Sequence, residues 1–74
     1  MSFSEALKRL KTKEGYKTAR KGWNGQGMYI ALQTPDKKSK MGAPYLYMYT
    51  ADKIMVPWSA SQTCLLADDW YEVK

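Results

Sequence analysis

Nine consecutive residues, Arg20-Lys21-Gly22-Trp23-Asn24-Gly25-Gln26-Gly27-Met28, carry chemistry that a turn does not require. The glycines and the asparagine mark backbone that turns sharply, with positive φ within easy reach at Gly25 or Gly27. Arg20 adds a fixed cation and Trp23 a large flat ring. With Asn24 and the approachable backbone N–H groups of the glycines, this set suits a planar, anionic partner such as a nucleotide. Structure alone would also account for it: Trp23 as a lid on the core and Asn24-Gly25 as a hairpin turn.

A second cluster lies at Trp58-Ser59-Ala60-Ser61-Gln62. Ser59 followed three residues later by Gln62 has the spacing of a capping box, so a helix is predicted from Ser59 to about Ala67. Its N-terminus would present free N–H donors and the positive end of the helix dipole beside Trp58 and two serines. An ordinary capped helix explains the same residues.

The other elements must position these clusters. Ser2 with Glu5 is a further capping box, and Phe3, Ala6, Leu7 and Leu10 recur at helical spacing, so a helix is predicted over residues 3–12. Residues 16–20 read as a short strand with a polar side and 28–33 as a half-buried strand. A polar loop with Pro35, three lysines and Gly42 is expected over residues 34–43. Tyr45, Leu46, Tyr47, Met48, Tyr49 and Thr50 form the clearest strand, with Tyr45, Tyr47 and Tyr49 on one face. A tyrosine ladder suits a surface that meets another subunit or stacks on a ligand. Ala51-Asp52-Lys53 turns the chain into Ile54-Met55-Val56, where Pro57 is expected to stop the ladder. Residues 68–73 close the sheet. The pattern predicts one α+β domain over residues 1–74: a small antiparallel sheet with an N-terminal helix and a short second helix near the C-terminus.

Composition narrows the chemistry. The chain of 74 residues has twelve Lys/Arg against seven Asp/Glu, a net charge of +5, so anionic partners are favoured. No His and a lone Cys64 exclude an internal disulfide and a Cys/His zinc site. No cofactor is expected, and Cys64 fits a reducing, intracellular compartment. Neither a signal peptide nor an apolar run long enough to span a bilayer is present, so no membrane role is expected. Three Trp, six Tyr and one Phe are more aromatic surface than one small core can enclose, which points to association.

The block Arg20–Met28 and the block Trp58–Trp70, with the opening Phe3-Ser4-Glu5-Ala6-Leu7, resemble the Thoeris anti-defense two family of small phage and prophage proteins. The resemblance covers nearly the whole chain. It implies a molecular sponge that binds a cyclic nucleotide signal made by bacterial immune systems, notably glycocyclic ADP-ribose, and holds it uncleaved. Some members also bind cyclic oligonucleotides. It further implies homo-oligomers, typically tetramers, with the nucleotide in pockets between subunits, acting in the cytoplasm of the bacterial host cell. By motif position, Arg20, Trp23 and Asn24 fall in the family's first block. Trp58, Ser61, Asp69 and Trp70 fall in the second. Cys64 departs from the pattern, where an aspartate is expected.

Residue chemistry and resemblance together give the expected ligand-binding set. Arg20, or backbone donors of the Gly-rich turn at Gly25 or of the second helix's start at Ser61 and Gln62, would meet phosphate. Trp23, Trp58 or Tyr47 would stack on adenine, each stack contributing about 1 to 3 kcal/mol. Asn24 and Asp69 would accept from ribose hydroxyls, and Met28 closes the first block. A small basic nucleic-acid-binding module is the alternative, although the basic residues are scattered and no recognition signature is present. An enzyme would have to use Asp68 or Asp69 as its base, so no catalysis is expected. A purely structural phage protein would not need the Arg20–Asn24 constellation.

Overall fold

A computed structural model describes residues 1–23, 27–35 and 42–74. The helix α1 (Phe3–Thr12) starts where the capping box places it: Ser2 Oγ accepts from the Glu5 N–H at 3.3 Å. Such a cap contributes roughly 1 kcal/mol. Phe3, Ala6 and Leu10 form the buried stripe of α1, and Arg9 and Lys11 sit in its last turn, where the dipole favours cations. Ala6 is fully buried, so a larger side chain there would lift the helix from the sheet. Lys13 caps the helix and Gly15 takes a left-handed φ of 77° to turn the chain.

The strands β1 (Lys17–Arg20), β2 (Tyr29–Gln33), β3 (Tyr45–Tyr49), β4 (Met55–Pro57) and β5 (Trp70–Glu72) make one sheet in the order β4-β3-β2-β1-β5. Every pairing is antiparallel. The first four strands form a meander. The chain then crosses through helix α2 (Gln62–Leu66) to place β5 beside β1. This is the α+β architecture predicted from the sequence. The expected loop over 34–43 falls mainly on residues outside those described.

Register decides what each sheet face carries. Thr18 pairs with Ile30, Ile30 with Met48, Leu32 with Leu46, and Arg20 with Trp70. These residues share the face on which Phe3, Ala6 and Leu10 of α1 pack. Lys17, Ala19, Tyr29, Ala31, Tyr45, Tyr47, Tyr49 and Tyr71 share the other face by the same alternation. No described element covers that face. Tyr29 stacks on Tyr49 with ring centroids 5.2 Å apart, and Lys17 Nζ lies 4.9 Å from the centre of the Tyr29 ring. The aromatic surplus of the composition is therefore tyrosine. All three tryptophans belong to, or pack on, the core.

Burial and pairing settle three local points. The buried side of β1 carries a polar residue at its centre: Thr18 is fully buried beneath α1, and its hydroxyl donates to the Tyr71 carbonyl at 2.8 Å. Pro57 is the last residue of β4, as expected, but it belongs to the ladder. It pairs with Tyr47, and the next residue, Trp58, still donates its N–H to Leu46 at 3.1 Å. Pro57 therefore takes the position whose nitrogen faces the free edge, where a missing N–H costs nothing. Finally, α2 begins at Gln62 and its cap is Ser61, whose Oγ accepts from the Cys64 N–H at 3.2 Å. Ser59 is not the cap: Trp58 is still bonded to Leu46, and the chain does not turn into the helix until Ser61.

Candidate functional site

Trp70 is the hub that joins the two sequence clusters. Its side chain is 1% exposed, and its indole Nε1 donates to the Cys64 carbonyl at 3.0 Å. Around it stand Phe3 at 5.1 Å, Trp58 at 6.1 Å and Trp23 at 5.4 Å between ring centroids, the last two edge-on. Phe3 also meets Trp58 at 5.7 Å. Edge-to-face contacts of this kind contribute about 0.5 to 1.5 kcal/mol beyond area burial. Trp23 is thus both a packing residue and, because it is half-buried, a ring with surface left to offer.

Polar contacts fix the same junction. Arg20 Nε donates to Asp69 Oδ1 at 2.8 Å and Nη2 to Oδ2 at 3.5 Å, while Nη1 points at Cys64 Sγ at 3.7 Å. The Gly22 N–H donates to Asp69 Oδ2 at 2.9 Å, and the Lys21 N–H to the Asp69 carbonyl at 3.1 Å. One carboxylate therefore holds a guanidinium and the backbone of the turn. A side chain at residue 22 would put its Cβ 3.1 Å from Asp69 Oδ2 and 3.4 Å from Arg20 Nη2, so glycine is what admits the latch. Hydrogen bonding to Arg20 holds the Asp69 carboxyl below its ordinary range, and the same contact raises Arg20. Burial pushes the Cys64 thiol up, but hydrogen bonds from Ser61, Arg20 and Trp23 outweigh it and leave the thiol below its usual value.

A cleft of about 350 Å³ opens beside this latch, lined by Ala19, Arg20, Lys21, Trp23, Gly27, Met28, Tyr71 and Val73. Gly27 has the expected positive φ, 78°. A larger cavity of about 520 Å³ lies at the opposite end of the sheet, where Lys13, Tyr16, Lys17 and Tyr47 are among its walls. Volume favours the second, and chemistry the first, which alone contains residues of the Arg20–Met28 block.

The structure thus distributes the expected site residues unevenly. Arg20, Trp23 and Met28 line the cleft, and Asp69 is bonded to Arg20 behind it. Trp58 sits in the aromatic cluster, half-buried. Ser61 and Gln62 are exposed at the start of α2, but Ser61 already occupies the Cys64 N–H and the helix is only five residues long. Tyr47 lies on the open sheet face, where burial and the neighbouring Tyr29 and Tyr45 raise its phenol above the ordinary value. Asn24 and Gly25 lie outside the described residues. Lys21 and Tyr71 also line the cleft, although neither is among the expected site residues; alternation along β5 sends Tyr71 to the open face, whereas Lys21 lies in the turn after β1.

Fold and junction define a class: a small α+β protein in which two separated motifs are locked together by one buried tryptophan and one ion pair. Residues 1–73 match the Thoeris anti-defense 2-like domain. A protein of Bacillus phage SP01 named Thoeris anti-defense 2 is 36% identical over 83 residues, which cover 95% of this chain and 91% of that protein. The chain belongs to the Thoeris anti-defense 2-like family.

Proposed function

We propose that this protein is a phage anti-defense sponge: it binds a cyclic nucleotide immune signal of the glycocyclic ADP-ribose type and withholds it, uncleaved, in the cytoplasm of the bacterial host. Cyclic oligonucleotides are the second ligand class of the same reading. The observation that carries it is the cleft at Trp23, where an aromatic wall, a thioether and cationic residues converge at the junction of the two motif blocks. A nucleotide asks for a flat apolar surface beside positive charge. The role is binding without catalysis. Asp69, the acidic group bonded to the cleft's Arg20, is consumed by Arg20 and Gly22, and a carboxylate held in its charged form by a guanidinium is a weak base.

Assembly belongs to the proposal. The open face of five tyrosines is the surface by which copies of the chain associate into a homo-oligomer, a tetramer in this reading. Ala19 and Tyr71, which line the cleft, lie on that same face, so a ligand there would sit near the junction between subunits.

The test is a depletion assay. A signal-dependent effector enzyme is mixed with its activating nucleotide and increasing amounts of the protein. Effector activity should fall as the protein approaches the nucleotide in molar amount and return after heat denaturation of the complex. Activity that falls and does not return on heating would instead mean destruction of the signal.

A further inference from the structure

We propose that Lys21, and not Arg20, is the cation that meets the phosphate of a ligand in the cleft at Trp23. The inference rests on the nucleotide-binding reading above and assigns a role within it. Arg20 and Lys21 are neighbours in sequence but not in position. Arg20 pairs with Trp70 and shares the face beneath α1. The Lys21 N–H bonds the Asp69 carbonyl in the turn that follows β1, and Lys21 is exposed there, just past the open-face pair of Ala19 with Tyr71. Those two residues line the cleft, as Lys21 does.

The two cations also differ in what they have left to give. Each nitrogen of the Arg20 guanidinium is directed at a group inside the protein: Nε and Nη2 at Asp69, Nη1 at Cys64. The Arg20 side chain is only 17% exposed. To take a phosphate, it would have to abandon a carboxylate 2.8 Å away or share its charge with one. Lys21 is exposed, and among the described residues it has no acidic group within ion-pair distance. Among the described residues no carboxylate lines the cleft. A compact ammonium on a flexible stem, beside Trp23, Met28 and the 40% exposed Tyr71, fits a phosphate attached to a flat ring. Arg20 is then a positioning residue. Through Asp69 and Gly22 it fixes the turn from which Trp23 projects.

The experiment compares wild-type protein with Lys21→Gln, Lys21→Arg and Arg20→Lys, using glycocyclic ADP-ribose as the probe in calorimetric titrations at low and high salt. Melting of each protein is recorded without ligand. Lys21→Gln should bind roughly tenfold more weakly at low salt, with a gap that narrows as salt screens the wild-type contact. Its melting temperature should match the wild type, and Lys21→Arg should restore most of the affinity. Arg20→Lys should lower the melting temperature, because a lysine cannot reproduce the two-nitrogen grip on Asp69. Wild-type affinity and salt dependence in Lys21→Gln, or a salt-dependent loss confined to Arg20→Lys without a change in melting, would overturn the assignment while leaving nucleotide binding intact. Failure of the wild-type protein to bind the probe or any cyclic nucleotide would remove both the assignment and the reading beneath it.

Discussion

Asp69 and Arg20, 49 residues apart in sequence, meet through an Nε–Oδ1 contact of 2.8 Å. The other oxygen of the carboxylate takes the Gly22 N–H at 2.9 Å. The second motif thereby holds the first in place.

That latch has a pH signature. Asp69 titrates below its ordinary value of 3.8 in the folded protein, chiefly through the hydrogen bond from Arg20. A carboxyl lowered on folding adds stability that is present above its unfolded pKa and is lost as pH falls through the folded one. Melting temperature should therefore decline as the solution is taken below about pH 4, the region of an unfolded Asp. In Asp69→Asn the acid-side decline should be shallower and the neutral-pH melting temperature lower. Parallel curves for the two proteins would show that the latch contributes nothing to stability.

Trp23 and Trp70 should separate packing from recognition. Trp70 is 1% exposed and central to the ring cluster, so Trp70→Ala should cost about 3 to 5 kcal/mol in chemical denaturation and lose ligand binding by unfolding. Trp23→Ala removes a half-buried ring that touches Trp70 edge-on. Its stability cost should be smaller, while nucleotide binding should weaken by roughly 1 to 3 kcal/mol through lost stacking. Equal destabilisation by both substitutions would make Trp23 a core residue alone.

The open tyrosine face predicts assembly. Tyr47→Lys introduces charge at the middle of β3, opposite Ala31, on the face that no described element covers. Light scattering at tens of micromolar, roughly the range of weak interfaces, should find an oligomer for the wild type and a smaller species for the variant. Its circular dichroism should be unchanged. A monomeric wild type would contradict assembly through any surface.

The fold was legible because its signals are local and mutually consistent. Ser2 and Glu5 mark the start of α1, the stripe Phe3–Ala6–Leu10 gives its buried side, and the alternation of Tyr45 to Tyr49 gives β3 with both faces correct. Errors arose where tertiary pairing overrode a local motif. Ser59 and Gln62 have capping-box spacing, yet Trp58 is still bonded to Leu46, and the chain does not turn into the helix until Ser61 caps it. Thr18 reads as polar, yet a hydroxyl that can donate to the Tyr71 carbonyl is tolerated in full burial.

Within the site, the motif blocks flagged Arg20, Trp23 and Asp69, but not that Arg20 and Asp69 would satisfy each other. A pairing across 49 positions leaves no local trace in a single sequence. Lys21 differs from Arg20 only in what surrounds it: the turn after β1 leaves it exposed at the cleft, while Asp69 occupies Arg20.

The central claim is that a nucleotide is held and not changed. Its most direct test is to incubate the protein with a panel of signalling nucleotides, remove unbound material, denature the protein and weigh what is released. The account predicts one cyclic nucleotide recovered at its original mass, in amounts proportional to protein and independent of incubation time. Recovery of a hydrolysed product that grows with time, or of no nucleotide at all, would contradict it.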